Sequence, residues 1–160
     1  MITPEGMIQE IQDVFSNSRP NGFILGWDTN RYFASLTNIC GDYVVYNNTD
    51  FNYSYCNCFE FKPKVSLGEH DYVITFKISF ILDAYSLHVT RYSTGGKTGE
   101  VVSEHDCGGM RSAIGKIRRF ANKNGLQEIT AAEQEIVIDG VALELSEVAT
   151  LGKCLFDDFE

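Results

Sequence analysis

"DYVITFKISFIL", residues 71–82, decides the fold of this chain. Its even positions, Tyr72, Ile74, Phe76, Ile78, Phe80 and Leu82, are all large and apolar. Its odd positions mix Val73, Thr75, Lys77, Ser79 and Ile81. A period of two, rich in β-branched and aromatic residues, marks a strand, because successive side chains point to opposite faces. With one face wholly apolar and the other mixed, this strand is expected at the centre of a sheet.

The neighbouring segments extend the sheet. Upstream, "FNYSYCNCFEF" (51–61) places Phe51, Tyr53, Tyr55, Asn57, Phe59 and Phe61 on one face, and Lys62-Pro63-Lys64 ends it. Downstream, "AYSLHVTRYS" follows a turn near Asp83, and "GEVVSE" follows a glycine-rich loop. Nearer the N-terminus, the short apolar run Phe23–Trp27 and, after a turn at Asp28-Thr29-Asn30, the segments Arg31–Ile39 and Asp42–Tyr46, split by Cys40-Gly41, read as further strands. Thr3-Pro4-Glu5 supplies an N-cap, a proline at the first helical position and an early acid. Met7, Ile8, Ile11, Val14 and Phe15 follow at helical spacing, which predicts a helix over 4–16.

After a break at Cys107-Gly108-Gly109, Met110, Ala113, Ile114, Ile117, Phe120 and Ala121 form a helical stripe with bases opposite, ended by Asn124-Gly125. In "EIVIDGVALEL" the Asp139-Gly140 pair between apolar runs signals a hairpin. Ser146 is placed to cap a last helix carrying Val148, Leu151, Leu155 and Phe159. Residues 1–160 are therefore expected to form one α+β domain. It has a single, mostly antiparallel sheet of about six strands, packed by an N-terminal helix, a basic helix near 110–124 and a C-terminal helix.

At 160 residues and 44% hydrophobic, the chain can bury a real core. No apolar run is long enough to span a bilayer, and MITPEGMIQE lacks the basic and apolar regions of a signal peptide, so no membrane association is expected. Five cysteines, an odd number without framework spacing, predict free thiols in a reducing cytoplasm. The sequons at Asn47 and Asn52 are then chance matches.

The net charge of −9 is unevenly placed. Residues 124–160 hold nine of the 22 acidic residues (Glu128, Glu133, Glu135, Asp139, Glu144, Glu147, Asp157, Asp158, Glu160) and only one base, Lys153. Just upstream, residues 111–123 carry Arg111, Lys116, Arg118, Arg119 and Lys123 and no acid. Such asymmetry bears on partners. The basic helix either contacts phosphates or pairs in cis with the acidic segment.

Several motifs in the chain depend on their structural context. "STGGKTGE" (93–100) suggests a phosphate-binding loop, but that motif needs glycine where Arg91 stands and a helix where Gly99-Glu100-Val101-Val102 reads as a strand. A hairpin tip at Gly95–Gly99 with Lys97 in solvent is expected, and no nucleotide. His88-Val89-Thr90 resembles half of the paired His-x-Thr signature of 2H phosphoesterases. The other histidines read His70-Asp71-Tyr72 and His105-Asp106-Cys107, so no second copy exists. Cys56, Cys58, His105 and Cys107 have zinc-ligand chemistry, yet a Cys-x-Cys in a strand departs from the spacing of structural zinc sites, and no metal is expected. Cys107, in a turn ahead of a helix, offers a nucleophile only if a base is positioned beside it. The Phe51–Phe61 row would stack single-stranded bases if exposed, but the charge disfavours nucleic acid and a core face is expected.

The expected function is accordingly that of a small acidic cytoplasmic inhibitor or antidote, without catalytic residues or cofactor. It would block a basic partner protein, one that cleaves or binds nucleic acid, through Glu128, Glu133, Glu135, Asp139, Glu144 and Glu147. Toxin-immunity proteins, and phage-encoded inhibitors of host defence nucleases, are similar in size and charge. The alternatives are a phosphoesterase or other hydrolase using His88 with Thr90 or Cys107, and a single-stranded nucleic-acid-binding module using helix 111–123 and the Phe51–Phe61 face.

Overall fold

The computed structural model describes residues 1–65, 68–93 and 98–159. Among them lies the expected α+β arrangement. Five antiparallel strands run in sequence order: β1 (Tyr43–Asn47), β2 (Cys56–Pro63), β3 (Asp71–Ser79), β4 (Ala84–Tyr92) and β5 (Gly99–Val102). A two-residue β6 (Gln127–Glu128) lies parallel to β4. The decisive stretch is indeed the middle strand, paired with β2 and β4.

The register aligns Phe59 with Phe76 and Leu87, and Phe61 with Ile74 and Val89. This aromatic and aliphatic face is covered by α3 (Phe33–Ile39) and α4 (Arg111–Lys123), through Leu36, Ala113, Ile114, Ile117 and Ala121. Among the described residues, the opposite face is covered at one end only. There α1 (Pro4–Val14) and α6 (Leu151–Leu155) close a second core around Cys56, Ala84, Leu82 and Phe156. Beyond that core the same face carries Cys58, Glu60, Lys77, His88 and Thr90, all half-buried. No helix among the described residues is long and apolar enough to cross a membrane.

Helix α1 starts as the sequence dictates, with the Thr3 hydroxyl accepting from the Gly6 amide at 3.2 Å and Pro4 in the first turn. Two predicted strands are helices instead. Residues Gly22–Leu25 form a single turn, α2, capped by Asn21, whose side chain accepts from the Phe23 and Ile24 amides. Residues expected as a strand over 31–39 form α3.

A buried polar link explains the second change. Arg31 donates from Nε to Asn57 Oδ1 (3.0 Å) and from Nη2 to the Ser79 carbonyl (3.0 Å), with its guanidinium carbon 3.7 Å from the Phe80 ring centre. Asn57 Nδ2 in turn donates to the carbonyls of Asp28 and Thr29. The 28–31 turn is thereby fastened to the end of the sheet, and the chain that leaves it crosses the aromatic face rather than joining the ladder.

Residues 51–55 also leave the strand pattern. Tyr53 takes a left-handed backbone (φ 58°), and the Tyr55 amide bonds to the carbonyl of Phe156 in the C-terminal segment. β4 and β5 pair antiparallel with Tyr92 opposite Gly99. The segment after Gly96-Lys97-Thr98 is thus a strand and lacks the helix start that a phosphate loop requires. The expected hairpin tip itself, including Gly95, Gly96 and Lys97, lies outside the described residues.

Candidate partner-binding surface

Strand β6 and the segment that follows it contain the acids singled out above, with Glu128 in the strand itself. It opens with α5 (Ala131–Gln134), capped by a reciprocal box: Thr130 Oγ1 accepts from the Glu133 amide, and Glu133 Oε1 accepts from the Thr130 amide. The Asp139-Gly140 hairpin does not form. Gly140 does turn the chain (φ 76°), but residues 136–138 pair with 149–151, through Ile138 N to Ala149 O and Leu151 N to Ile136 O. Residues 139–148 make a wide loop.

A buried carboxylate outcompetes the local turn signal. Asp158, fully buried, accepts from the amides of Glu144 (2.8 Å), Leu145 (2.8 Å) and Ser146 (3.0 Å), while Val141 and Leu143 pack on the second core. The expected cap at Ser146 is displaced for the same reason. Its amide serves Asp158, and Thr150 caps α6 instead.

The six acids divide into two groups. Glu128 accepts from Arg118 Nε (2.8 Å) and from the Tyr85 hydroxyl (3.0 Å), Glu133 caps α5, and Glu144 pairs with Arg19. Glu135, Asp139 and Glu147 are exposed, and their carboxylates have no hydrogen bond or ion pair among the described residues. Val137 (56% exposed) and Leu145 (43%) fall between them in the chain, and Val148 (52%) follows Glu147 directly. This interleaving of apolar side chains with the free acids was missed in the sequence, where Val137 and Leu145 read as strand residues of a hairpin and Val148 as the apolar stripe of a helix.

The basic helix is partly spent in cis. Arg118 bridges Glu104 and Glu128, and these hydrogen bonds raise its pKa and hold the Glu104 carboxyl below its ordinary value. Burial, and then the same Glu128 carboxylate, push the Tyr85 phenol up to about 12, so it stays a donor. Arg111, Lys116, Arg119 and Lys123 are exposed.

The residues of the alternative readings are scattered. His88 and Thr90 share the open face of the sheet, since they pair with Thr75 and Val73. Cys107 packs with Val89 and Met110 in the core on the opposite face. Burial, and then Glu104 and Asp106, raise the Cys107 thiol pKa, the reverse of an activated nucleophile. Cys56, inside the second core, and Cys58, on the open part of the same face, lie across the sheet from Cys107, and among the described residues no cluster of His, Cys, Asp and Glu could hold a metal ion. Phe51, Tyr55, Phe59 and Phe61 are buried, so the aromatic row is core, with Tyr53 its exposed exception. No protein-family model, curated protein or solved structure matches the chain.

Proposed function

We propose that the protein is a non-enzymatic inhibitor or antidote that covers the basic site of a nucleic-acid-cleaving or nucleic-acid-binding protein in a reducing, cytoplasmic compartment. One observation carries this reading: the unpaired acids Glu135, Asp139 and Glu147 are interspersed in the chain with exposed Val137, Leu145 and Val148, and Asp139, Leu145, Glu147 and Val148 stand on the loop held by the buried Asp158 carboxylate. A fixed loop loses little conformational entropy on binding, its apolar residues supply contact area, and its carboxylates occupy a site built for phosphates. The surplus negative charge speeds encounter with a basic partner. The five free thiols, four of them buried, are consistent with a reducing compartment.

The test is to capture the partner from the native host, identify it and measure affinity against the triple variant Glu135→Lys, Asp139→Lys, Glu147→Lys. These exposed carboxylates make no hydrogen bond or ion pair among the described residues, so the variant is expected to keep its fold. Its affinity is expected to fall at least tenfold, about 1.4 kcal/mol, with a flattened salt dependence of the association rate. Unchanged affinity would reduce the acids to a solubilising role. Nuclease activity of the captured protein, inhibited by the wild-type chain, separates the antidote reading from a phosphoesterase. A phosphoesterase would instead hydrolyse phosphodiesters itself and lose activity in His88→Ala.

A further inference from the structure

Three consecutive large apolar residues stand in solvent on α2: Phe23 is 60% exposed, Ile24 84% and Leu25 59%. Scattered exposed hydrophobes are ordinary, but a contiguous group marks a contact surface. The turn that displays them is rigid. Asn21 caps its start, the Trp27 amide bonds back to the Gly22 carbonyl at 2.9 Å, and Gly26 closes it in the left-handed conformation (φ 70°). Underneath, Gly22 is pressed against aromatic rings: a Cβ there would lie 2.6 Å from Phe51 and 2.7 Å from Trp27. Trp27 is itself stacked on Phe80, with ring centres 4.7 Å apart. The knob is therefore built on the core.

Its surroundings specify what covers it. Val14, exposed on α1, shares a shallow pocket with Ile24 and Leu25, and Arg19 and Pro20 line both this pocket and the next, which holds Tyr53 and Glu144. Arg19 is paired with Glu144, and Gln12 of α1 donates to the Asp139 carbonyl at 2.9 Å. The knob is thus continuous with the acidic loop. Asp13 and Asp28, both exposed, flank it in sequence; of the two bases nearest in the chain, Arg19 is paired with Glu144 and Arg31 is half-buried, turned onto Phe80 and donating to Asn57 and the Ser79 carbonyl. An apolar centre within a negative rim complements an apolar socket ringed by lysine and arginine. A second copy of this chain, or an anionic membrane, would bring like charge against it.

We propose that Phe23, Ile24 and Leu25 are the apolar anchor of the partner interface, inserting into a hydrophobic socket with a basic rim on a protein partner. The identity of that partner rests on the acidic-surface reading above, whereas the role of the knob does not.

The experiment uses the full chain as wild type, Ile24→Asp, Ile24→Ser and the triple acid reversal. Sedimentation velocity at high protein concentration and flotation with phosphatidylcholine/phosphatidylglycerol vesicles come first. A monomer that does not float is expected. A dimer dispersed by Ile24→Asp, or flotation lost in that variant, would give the knob to a second copy or a membrane and overturn the proposal.

The partner is then captured with crosslinking from the native host, identified, purified and titrated. Ile24→Asp and Ile24→Ser are expected to weaken binding roughly thirtyfold or more, the size of a hot-spot loss, with the thermal midpoint little changed because the side chain is exposed. If both Ile24 variants bind like wild type while the acid reversal weakens binding, the anchor is wrong and the acidic reading stands. If the Ile24 variants fail and the acid reversal has no effect, the acidic reading and the basic rim are wrong. If no saturable partner is found, both fall.

Discussion

His88 stands on the open face of the sheet, where burial and then the Lys77 ammonium hold its pKa below the ordinary value, against weaker opposing pulls from Asp157 and Glu60. Lys77 itself is lowered by burial but raised more by its ion pair with Asp157, so it stays charged. Lowering a histidine pKa on folding means that the unfolded chain binds the extra proton more readily. The linkage slope is then positive, and stability rises with pH between the folded and unfolded values. Stability is expected to decline as pH falls below about 6.5, the ordinary histidine value. His88→Gln should flatten that decline. Urea midpoints measured between neutral and mildly acidic pH check this, and a slope that persists in the variant would assign it to other groups.

At the scale of elements, what could be read from the sequence depended on how locally each signal was satisfied. The Thr3 cap, the alternation of β3 and the stripe of α4 are met by neighbouring residues or by one covered face, and all three appear in the structure. Phe23–Trp27 is a short apolar run and Arg31–Ile39 a mixed segment, and the periodicity of neither separates a strand from a helical turn. Their state was set by Asn21 and by the remote Arg31–Asn57 link. The Asp139-Gly140 signal lost to Asp158, far along the chain. The acids were visible as charge, but not which were free, because Glu128 is engaged by Arg118 and Tyr85 and Glu144 by Arg19. If Asp158 holds the loop, Asp158→Ala should orphan three amides and cost on the order of 3 kcal/mol. It should also lose amide-exchange protection at 144–146 before the rest of the chain. Protection retained there would mean that the apolar contacts of Val141 and Leu143 are sufficient.

For the whole molecule, the two cores lie on opposite faces of the same strands, with Ile74, Phe76 and Ile78 in one and Cys56 and Ala84 in the other. Neither can dissolve without disturbing β2 and β4, so one cooperative melting transition is expected. Phe76→Ala, at the centre of the fully buried face, should cost about 3–5 kcal/mol through lost transfer energy and the cavity left behind. Denaturation followed by tryptophan fluorescence and by far-ultraviolet dichroism would test both statements. Trp27 reports the second face, so midpoints that separate would show two independently stable halves.

The frame under α2 carries a further consequence, for sequence change over time. Gly22 has no room for any side chain, and Asn21, Gly26 and Trp27 are fixed by the turn they make. Of the three residues they present, Ile24 is the most exposed, while Phe23 also rests edge-on against the Phe51 ring, so replacing Ile24 or Leu25 alters what the surface recognises at small expense to folding. Divergent copies of this gene under pressure to follow a changing target would therefore drift at positions 24 and 25 and hold still at 21, 22, 26 and 27. Specificity could then turn over while the scaffold persists.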